Sequence, residues 1–364
     1  MNITFLTRKT ALSETQLEQT APAPLQAGQV RLQMDLFSLT ANNITYASFG
    51  DAMKYWDFYP RTDAWGAIPV WGFASVSESM CEGIAVGDKF YGYYPPASQV
   101  VLEPGKLSPT GFAITHGARA ELAAVYNQYT RSSADPFYGH GSEALQCILR
   151  PLFMTSWLID DFLADNTFFG SEAVLLSSAS SKTAYGTAYC LSQRPANERP
   201  RIIGLTSAGN VAFCQSLGCY DEVLTYEQLE TLSRNMVCIY VDFAGNAALR
   251  LRIHTHFQAL AYSCSVGGTH VGELGGAKGL PGPKAVLFFA PAQIAKRRAD
   301  WGPTVMAERL VRGWAGFAQA VASSEPPWVQ VQRVTRSGAQ AAYAQLLKGR
   351  SDPRQAQVWY LNEA

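Results

Sequence analysis

The sequence predicts an α/β protein in which a doubly wound parallel sheet is combined with a β-rich domain. Short apolar runs and helical patterns alternate through residues 173–289, as in parallel sheets covered by helices. Residues 1–110 hold mainly runs that alternate polar and apolar side chains, as in half-buried strands. The chain of 364 residues is too long for one hydrophobic core, so two domains are expected.

The N-terminal strands are predicted from this alternation. Gln29–Leu39 and Val70–Ser79 alternate regularly, and the turn Gly87-Asp88 precedes a further strand. Between the first two strands, residues 51–65 are rich in aromatic side chains. Such a cluster can line a pocket for a flat apolar ligand. It can equally serve only to pin a loop to the domain.

Two helical patterns follow, at residues 118–129 and 142–163. The second contains Pro151. Proline interrupts a helix or begins a new one, so we predict a break at this residue.

The phosphate-binding corner of a doubly wound sheet consists of a strand, a tight turn and the start of a helix. Ala173–Leu176 is an apolar run, small polar residues follow it, and residues 183–193 have a helical pattern. Unpaired N–H groups and the positive end of the helix dipole favour an anion there. The residues predicted to bind the phosphates of a dinucleotide are Ser180, Ser181, Lys182 and Thr183.

The corner departs from the glycine-rich fingerprint G-x-G-x-x-G. Ser178, Ser181 and Ala184 stand at the three glycine positions. An ordinary corner with a serine-rich helix start is therefore the alternative. Lys182 favours a bound phosphate, because a lysine in the first turn of a helix otherwise opposes the dipole; the alternative is that its side chain is only solvated.

The second strand of this unit, Arg201–Thr206, ends without a carboxylate. Proteins of this fold that bind NAD usually place an acidic side chain there for the ribose hydroxyls. Thr206, Ser207 and Asn210 instead offer hydrogen-bond donors, and Lys182 on the neighbouring helix adds a positive charge. We therefore predict that the cofactor is NADP, bound through its 2′-phosphate. The alternative is that the strand end is only a polar turn.

The alternation continues with helices at 210–217, 226–234 and 246–257. The strands are Glu222–Leu224, Met236–Asp242, Ala259–Cys264 and Ala285–Phe289. Asp242 ends its strand at the edge of the sheet where ligands bind, so it is a candidate cofactor-binding residue; capping the next helix is the alternative. The last strand is apolar, and an unpaired edge of this kind predicts a homodimer. A monomer whose edge is covered by the helix at 303–322 is the alternative.

The C-terminal segment returns to β-structure. An amphipathic helix at 303–322 is followed by a strand at 329–334, a helix at 338–348 and a strand at 356–361. We predict a first domain of residues 1–150, completed by residues 316–364, and a doubly wound domain of residues 151–315.

Composition limits the partners and the compartment. The formal net charge is zero, so no basic surface predicts binding to nucleic acid or to a membrane. The sequence shows neither a signal-peptide pattern nor a run of about 18 apolar residues that would span a membrane. The seven cysteines are scattered and form no C-x-x-C pair. We expect reduced thiols in the cytoplasm and no metal site.

Several segments resemble the medium-chain dehydrogenase/reductase superfamily, and its zinc-free, quinone-oxidoreductase-like branch in particular. Val30–Met34 with Asn42-Asn43 and Gly50 resembles the opening strand and active-site loop of that branch. G-I-A-V-G-D-K-F-Y-G at 83–92 and residues 212–223 are also similar to it, and the resemblance covers nearly the whole chain. The run 150–153, together with S-S-A-S-S-K-T-A at 177–184, is similar to the DUF2855 family, a smaller branch.

The resemblance implies a Rossmann domain and a GroES-like domain. Zinc-dependent members carry a cysteine near the start of the active-site loop and a Gly-His-Glu after it. Leu39-Thr40-Ala41 and Trp71-Gly72-Phe73 stand in those regions, which implies that no catalytic zinc is bound. The implied activity is NADP-dependent hydride transfer to a quinone, enone or other carbonyl compound, an apolar or aromatic small molecule. The alternative is a non-catalytic nucleotide-binding or scaffold protein that retains the fold.

Two residues of this loop are candidate catalytic residues. Tyr46 resembles a loop tyrosine of the quinone-reductase branch, which implies a hydrogen bond to the substrate carbonyl and stabilisation of a developing enolate. A purely structural hydroxyl is the alternative. Asn43 is a candidate for orienting the substrate, and capping a turn is its alternative role.

Overall fold

The computed structural model describes residues 1–266, 279–349 and 352–363. The chain forms two compact units, Met1–Ile148 with Val329–Ala364 and Leu149–Trp328. The first unit is rich in β-structure, and the second contains a six-stranded parallel sheet with helices. The predicted fold class, a Rossmann sheet plus a GroES-like β-rich domain, is confirmed.

The first unit takes strands from both ends of the chain, numbered here in chain order. They are β1 (Asn2–Arg8), β2 (Ala11–Thr20), β3 (Val30–Leu39), β4 (Trp65–Gly66), β5 (Val70–Ser79), β6 (Lys89–Tyr94), β7 (Gln99–Leu102), β8 (Lys106–Ser108), β9 (Gly111–Ala113), β10 (Gln128–Arg131), β17 (Gln330–Thr335) and β18 (Gln355–Tyr360). Its α-helices are α1 (Ala41–Ser48) and α8 (Ala339–Leu347). Short 3₁₀ helices lie at Tyr55–Phe58, Gly117–Glu121, Ala124–Asn127, Ser132–Ala134 and Arg336–Gly338.

These strands form two sheets. The smaller has the order β2-β1-β4, and the larger has the order β17-β18-β3-β5-β6-β10-β9-β8 with β7 also paired to β3. The C-terminal strand β18 pairs with β3 across Gln357 to Trp359. Trp359 packs edge-on against Phe5, with ring centroids 5.2 Å apart. The core of the first unit is therefore closed by side chains from both ends of the sequence.

The second unit is the doubly wound part. Its strands are β11 (Ala173–Leu176), β12 (Arg201–Thr206), β13 (Glu222–Thr225), β14 (Cys238–Asp242), β15 (Leu260–Ser265) and β16 (Val286–Leu287), in the order β13-β12-β11-β14-β15-β16. All five pairings are parallel. The prediction that the runs 173–176, 201–206, 237–242 and 260–264 lie side by side in one parallel sheet is confirmed.

Helices connect these strands. They are α3 (Lys182–Ser192), α4 (Val211–Ser216), α5 (Ala247–His256), α6 (Ala290–Trp301) and α7 (Pro303–Ser323), while α2 (Glu143–Asp165) contains the boundary between the units. Further 3₁₀ helices lie at Thr167–Gly170, Ala196–Glu198, Ala208–Asn210 and Tyr226–Thr231. The amphipathic pattern of α7 is confirmed, because its residues at helical spacing are buried: Met306, Leu310, Trp314, Phe317 and Val321.

Two local predictions were wrong. Residues 118–129 form two 3₁₀ turns and the start of β10 instead of one helix. Pairing of Gln128–Thr130 with β9 overrides the local helical pattern, as tertiary contacts commonly do. Helix α2 continues through Pro151. Its neighbours Leu149 and Phe153 are both 1% exposed, and their burial offsets the hydrogen bond that proline cannot donate.

The segment after β3, predicted as a loop, begins with helix α1. A capping box accounts for its start. The N–H of Thr40 donates to the Asn43 side chain, and the Thr40 hydroxyl accepts the backbone N–H of Asn43. The predicted edge strand 285–289 is shorter than expected and covers only Val286–Leu287.

Candidate functional site

The corner between β11 and α3 has the geometry of a phosphate-binding turn. The turn closes on itself, since the N–H of Ser181 donates to the oxygen of Ser178 at 2.7 Å and the N–H of Ala179 donates to the oxygen of Leu205 at 3.0 Å. Ser181 is the N-cap residue of α3, but its side chain caps no N–H group. Within the described residues its hydroxyl is buried without a hydrogen-bond partner. The first-turn N–H groups of α3 therefore lack an N-cap acceptor, the situation in which a helix start attracts an anion.

The structure shows how a turn without glycine is accommodated. Ser178 has a φ of 50°, the left-handed conformation that costs a non-glycine residue about 1–2 kcal/mol. Gly204 on the next strand, β12, allows this strand to lie close to the turn. A Cβ on Gly204 would lie 2.9 Å from the Cβ of Ala179 and 2.9 Å from the ring of Tyr220. Ala184 is fully buried. Small residues at these positions keep the turn, the helix and the sheet in contact.

Asp242 holds together the ends of two neighbouring strands, β11 and β14. Its Oδ1 accepts the Ser177 hydroxyl at 3.1 Å and the N–H of Gly245 at 2.9 Å. The Ser177 oxygen in turn accepts the N–H groups of Phe243 and Ala244 at 3.0 and 3.1 Å. Both residues are completely buried. The network fixes the loops that border the corner.

A buried ion pair completes this network. The guanidinium of Arg250 contacts Oδ2 of Asp242 through Nε at 2.9 Å and through the terminal nitrogen at 2.7 Å. The side chains are 7% and 1% exposed, respectively. Two charge-assisted hydrogen bonds to one carboxylate oxygen help to offset the cost of burying two charges. The Asp242 carboxylate is thus bonded to other groups of the protein.

The end of the second strand carries the other predicted cofactor residues. The side-chain amide of Asn210 donates to the Ser180 hydroxyl at 3.0 Å, so two of the predicted residues are brought together. Ser207 is exposed. Thr206 is buried, with a relative exposure of 1%. Lys182 and Thr183 are half-buried in the first turn of α3.

The first unit contains a cluster of tyrosine hydroxyls around Tyr46. The ring of Tyr46, on α1, lies 4.5 Å from that of Tyr55, 5.8 Å from that of Tyr93 and 6.3 Å from that of Tyr126. Burial raises the pKa of Tyr46 to about 12, although nearby groups of Trp71, Asn42 and Tyr126 partly counter this. The hydroxyl therefore stays protonated at neutral pH and can donate a hydrogen bond.

Asn43 lies on the same helix, but its side chain is engaged. Its oxygen accepts the N–H of Thr40 at 2.8 Å, and its amide donates to the oxygen of Pro69 at 2.9 Å. These bonds attach the first turn of α1 to the segment before β5. In this arrangement Asn43 positions the helix that carries Tyr46.

Arg119 supports a second group of hydroxyls beside the first. Its guanidinium donates to the hydroxyls of Tyr129 at 2.9 Å and Tyr59 at 3.3 Å. Both of these hydroxyls also donate to the oxygen of Tyr93, at 2.9 and 2.6 Å. The backbone oxygen of Tyr93 is thus held by two phenols, which Arg119 in turn supports.

Sequence patterns missed Tyr93 and Tyr126 as candidate site residues. Tyr93 lies in a strand with the sequence K-F-Y-G-Y-Y, and Tyr126 lies in the segment predicted as a helix. Their rings are 4.6 Å apart, although 33 positions separate them in the chain. Only the density of aromatic residues in both segments could have signalled that they meet.

Residues 1–266, 279–349 and 352–363 show no sign of a metal site or of a membrane-spanning helix. There, no three His, Cys, Asp or Glu side chains are grouped to hold a metal ion. In the same ranges no helix combines the length and the apolar character needed to cross a bilayer.

Comparison with known proteins identifies one family and one fold. Residues 37–352 match the family described as "Protein of unknown function (DUF2855)". No curated protein matches the sequence significantly.

Similar solved structures include CurA in complex with NADPH from Vibrio vulnificus, at 12% identity and a TM-score of 0.57, covering 96% of this chain and 95% of that one. The quinone oxidoreductase from Coxiella burnetii is 15% identical with a TM-score of 0.52, covering 99% of this chain and 100% of that one. The yhdH oxidoreductase from Salmonella enterica in complex with NADP is 11% identical with a TM-score of 0.53, at coverages of 99% and 100%. At these identities the likeness shows the fold, a Rossmann domain combined with a GroES-like domain.

Proposed function

The chain belongs to the DUF2855 family, and from that premise we propose that it is an NADP-dependent, zinc-independent oxidoreductase acting on a quinone, enone or other carbonyl compound. The observation that supports this most strongly is the corner at α3, where an uncapped helix start, Lys182 and a carboxylate-free second strand lie together. The proteins of like fold that were crystallised with NADPH and NADP add support.

We propose that the polar groups of the corner bind the phosphates. The first-turn N–H groups of α3, with Ser180, Ser181 and Thr183 around them, suit the pyrophosphate. Thr206, Ser207 and Asn210 at the end of β12 suit the ribose 2′-phosphate, together with Lys182. The carboxylate of Asp242 is bonded to Arg250 and Ser177. Its proposed role is to position the loops that border the corner.

NADPH, when bound, supplies the hydride. The proposed role of Tyr46 is to donate a hydrogen bond to the substrate oxygen, where negative charge develops as the hydride is accepted. Asn43 fixes the helix that presents this hydroxyl. The aromatic rings around Tyr46 favour a planar apolar substrate.

A nucleotide-binding or scaffold protein without catalysis is the second candidate function. One observation favours the scaffold: the N–H of Ser178 in the corner is not available to a phosphate, since it donates to the hydroxyl of Tyr226 at 3.1 Å. The purified protein should oxidise NADPH when 9,10-phenanthrenequinone or a simple enone is added. Binding of NADPH without any turnover over a broad panel of carbonyl compounds would favour the scaffold instead.

Substitution of Lys182 tests the cofactor part of this proposal. We expect Lys182→Ala to weaken NADPH binding at least tenfold, because a charge-assisted bond to phosphate is worth on the order of 1.5–3 kcal/mol. NADH binding should hardly change. Thermal stability should hardly change.

Fluorescence quenching titrations with both nucleotides provide the measurement. Lys106→Ala is the matched control, because it removes the same charge from an exposed strand of the other unit. Equal affinity of the unmodified protein for NADH and NADPH would contradict the assignment, and so would an equal loss for both nucleotides in Lys182→Ala.

We further propose that the protein is a homodimer formed through β16. This strand ends its sheet in the described part of the chain, and Val286, Leu287 and Phe289 are 44%, 67% and 61% exposed. Unpaired apolar edges of this kind seek a second strand. Light scattering at micromolar concentration should give the dimer mass, and Leu287→Lys should shift it toward the monomer.

Leu251→Lys is the control for this experiment, because Leu251 is similarly exposed, at 51%, but lies on α5. A monomer mass for the unmodified protein would rule the proposal out. We also propose a cytoplasmic location, supported by seven free thiols, six of them buried.

A further inference from the structure

The tyrosine cluster of the first unit contains a hydroxyl that has no hydrogen-bond partner within the part of the chain that the structure describes. Tyr93 is completely buried, and among the described residues its hydroxyl makes no hydrogen bond. A buried hydroxyl without a partner is unfavourable, and native proteins rarely keep one without a reason. The ring itself is tightly held, since its backbone oxygen accepts bonds from Tyr59 and Tyr129.

The side chains near Tyr93 include several that can donate a hydrogen bond. Burial raises the pKa of Tyr93 well above its usual value, and the nearby phenols of Tyr46 and Tyr126 raise it further. The indole of Trp71 lies with its ring centroid 5.1 Å from that of Tyr93. The Trp71 N–H is close enough to Tyr46 to influence its pKa, yet it makes no hydrogen bond of normal geometry with the described residues.

The outer layer of the cluster is loosely closed. Tyr55, Trp71 and Tyr126 are half-buried, whereas Tyr46 and Tyr93 beneath them are buried. The hydroxyls of Tyr55 and Tyr126 are 3.4 Å apart, beyond the usual length of an O–H···O bond. A ligand that separates these two residues gives up this weak hydrogen bond and the edge-on contact of their rings, whose centroids are 5.9 Å apart.

We propose, building on the function proposed above, that Tyr93 and Tyr126 join Tyr46 in one donor pocket for the oxygen of a planar aromatic carbonyl compound. Tyr93 and Tyr126 are specificity-determining residues of this pocket. Phenols and an indole donate to an acceptor oxygen without supplying a positive charge. The pocket therefore favours a neutral carbonyl or quinone oxygen over a carboxylate or phosphate, which binds more strongly to the positive charge of Arg or Lys. The surrounding rings select for a flat aromatic body.

The test compares two ligands of the same shape. 9,10-Phenanthrenequinone carries two carbonyl oxygens, and phenanthrene has the same ring skeleton without them. Binding to the full-length protein is measured by quenching of tryptophan fluorescence in the absence of nucleotide. We expect the quinone to bind at least tenfold more tightly than the hydrocarbon.

Two conservative variants then locate the donors. Tyr93→Phe and Tyr126→Phe should each reduce the preference for the quinone at least threefold while leaving phenanthrene binding unchanged. Tyr343→Phe is the matched control, because Tyr343 is a buried tyrosine of the same unit on α8, and it should leave both affinities unchanged. The ratio of the two affinities within each variant does not depend on the fraction of folded protein.

Equal binding of the two ligands to the unmodified protein would overturn the inference, as would an unchanged ratio in Tyr93→Phe. Melting temperatures distinguish a ligand-binding role of Tyr93 from a purely structural role. If Tyr93 were only a packing residue, removal of its unpaired hydroxyl would raise stability and leave the ratio as it was. Because no nucleotide is present, failure of the protein to oxidise NADPH would refute the proposed activity without affecting this result.

Discussion

Asp242→Asn is expected to destabilise the protein by about 3–5 kcal/mol, the cost of leaving one partner of a buried ion pair without its counter-charge. The side chains of Asp242 and Arg250 are 1% and 7% exposed, so water cannot replace the lost carboxylate charge. Asparagine keeps the shape of the residue and its acceptor for the N–H of Gly245. The loss of stability therefore measures the contribution of the carboxylate charge.

Chemical denaturation with urea provides the measurement, as a change in the free energy of unfolding. Glu222→Gln is the matched control, because it breaks an Arg–carboxylate pair in the same unit whose Arg201 side chain is 59% exposed. Exposed pairs contribute only about 0–1 kcal/mol. If both variants lost the same small amount of stability, the buried network around Asp242 would not have the importance that its geometry indicates.

Tyr46→Phe is expected to lower the rate of carbonyl reduction about a hundredfold if Tyr46 donates to the reacting oxygen. Removal of one donor from an oxyanion-binding site typically costs on the order of 10²–10³ in kcat. Tyr126 shares the cluster with Tyr46 and can partly replace it, which places the expected loss at the lower end. The affinity for NADPH should stay unchanged.

Steady-state kinetics with a quinone substrate give both values. Tyr343→Phe again serves as the control, and its kcat should equal that of the unmodified protein. Because the pKa of Tyr46 is about 12, ionisation of this residue should not depress the rate until the pH exceeds about 10. A Tyr46→Phe variant with full activity would assign this hydroxyl a structural role.

The parallel sheet could be predicted because its strands and helices are specified locally. Val174 and Ile203, for example, belong to short apolar runs whose ends are marked by polar residues. The turn around Arg119 could not be predicted in this way. Its conformation depends on Asn127, which exchanges two hydrogen bonds with Arg119, and on pairing with β9. Such contacts leave no periodic pattern in the sequence.

In the candidate site, too, the local features could be predicted and the contacts between distant segments could not. Ser180 and Asn210 were both predicted from their places at strand ends, and they are hydrogen-bonded to each other. The role of Gly204 was not foreseen, because its contact with Ala179 crosses from one strand to the turn after another. The donor cluster joins Tyr46, Tyr93 and Tyr126 from three separate segments. Spacing within any one segment cannot reveal it.

The pairing of β18 with β3 has a consequence for the order in which the protein folds during synthesis. The second unit is continuous in sequence and is complete before β18 leaves the ribosome. The last residues of β3, which pair with Gln357 to Trp359, must wait for some 300 further residues, or on the order of tens of seconds at typical rates of translation. Phe5 and Phe37, which both pack against Trp359, lack this partner until then. Until β18 pairs, the nascent first unit therefore exposes the edge of β3 and these apolar rings, which are features that favour aggregation.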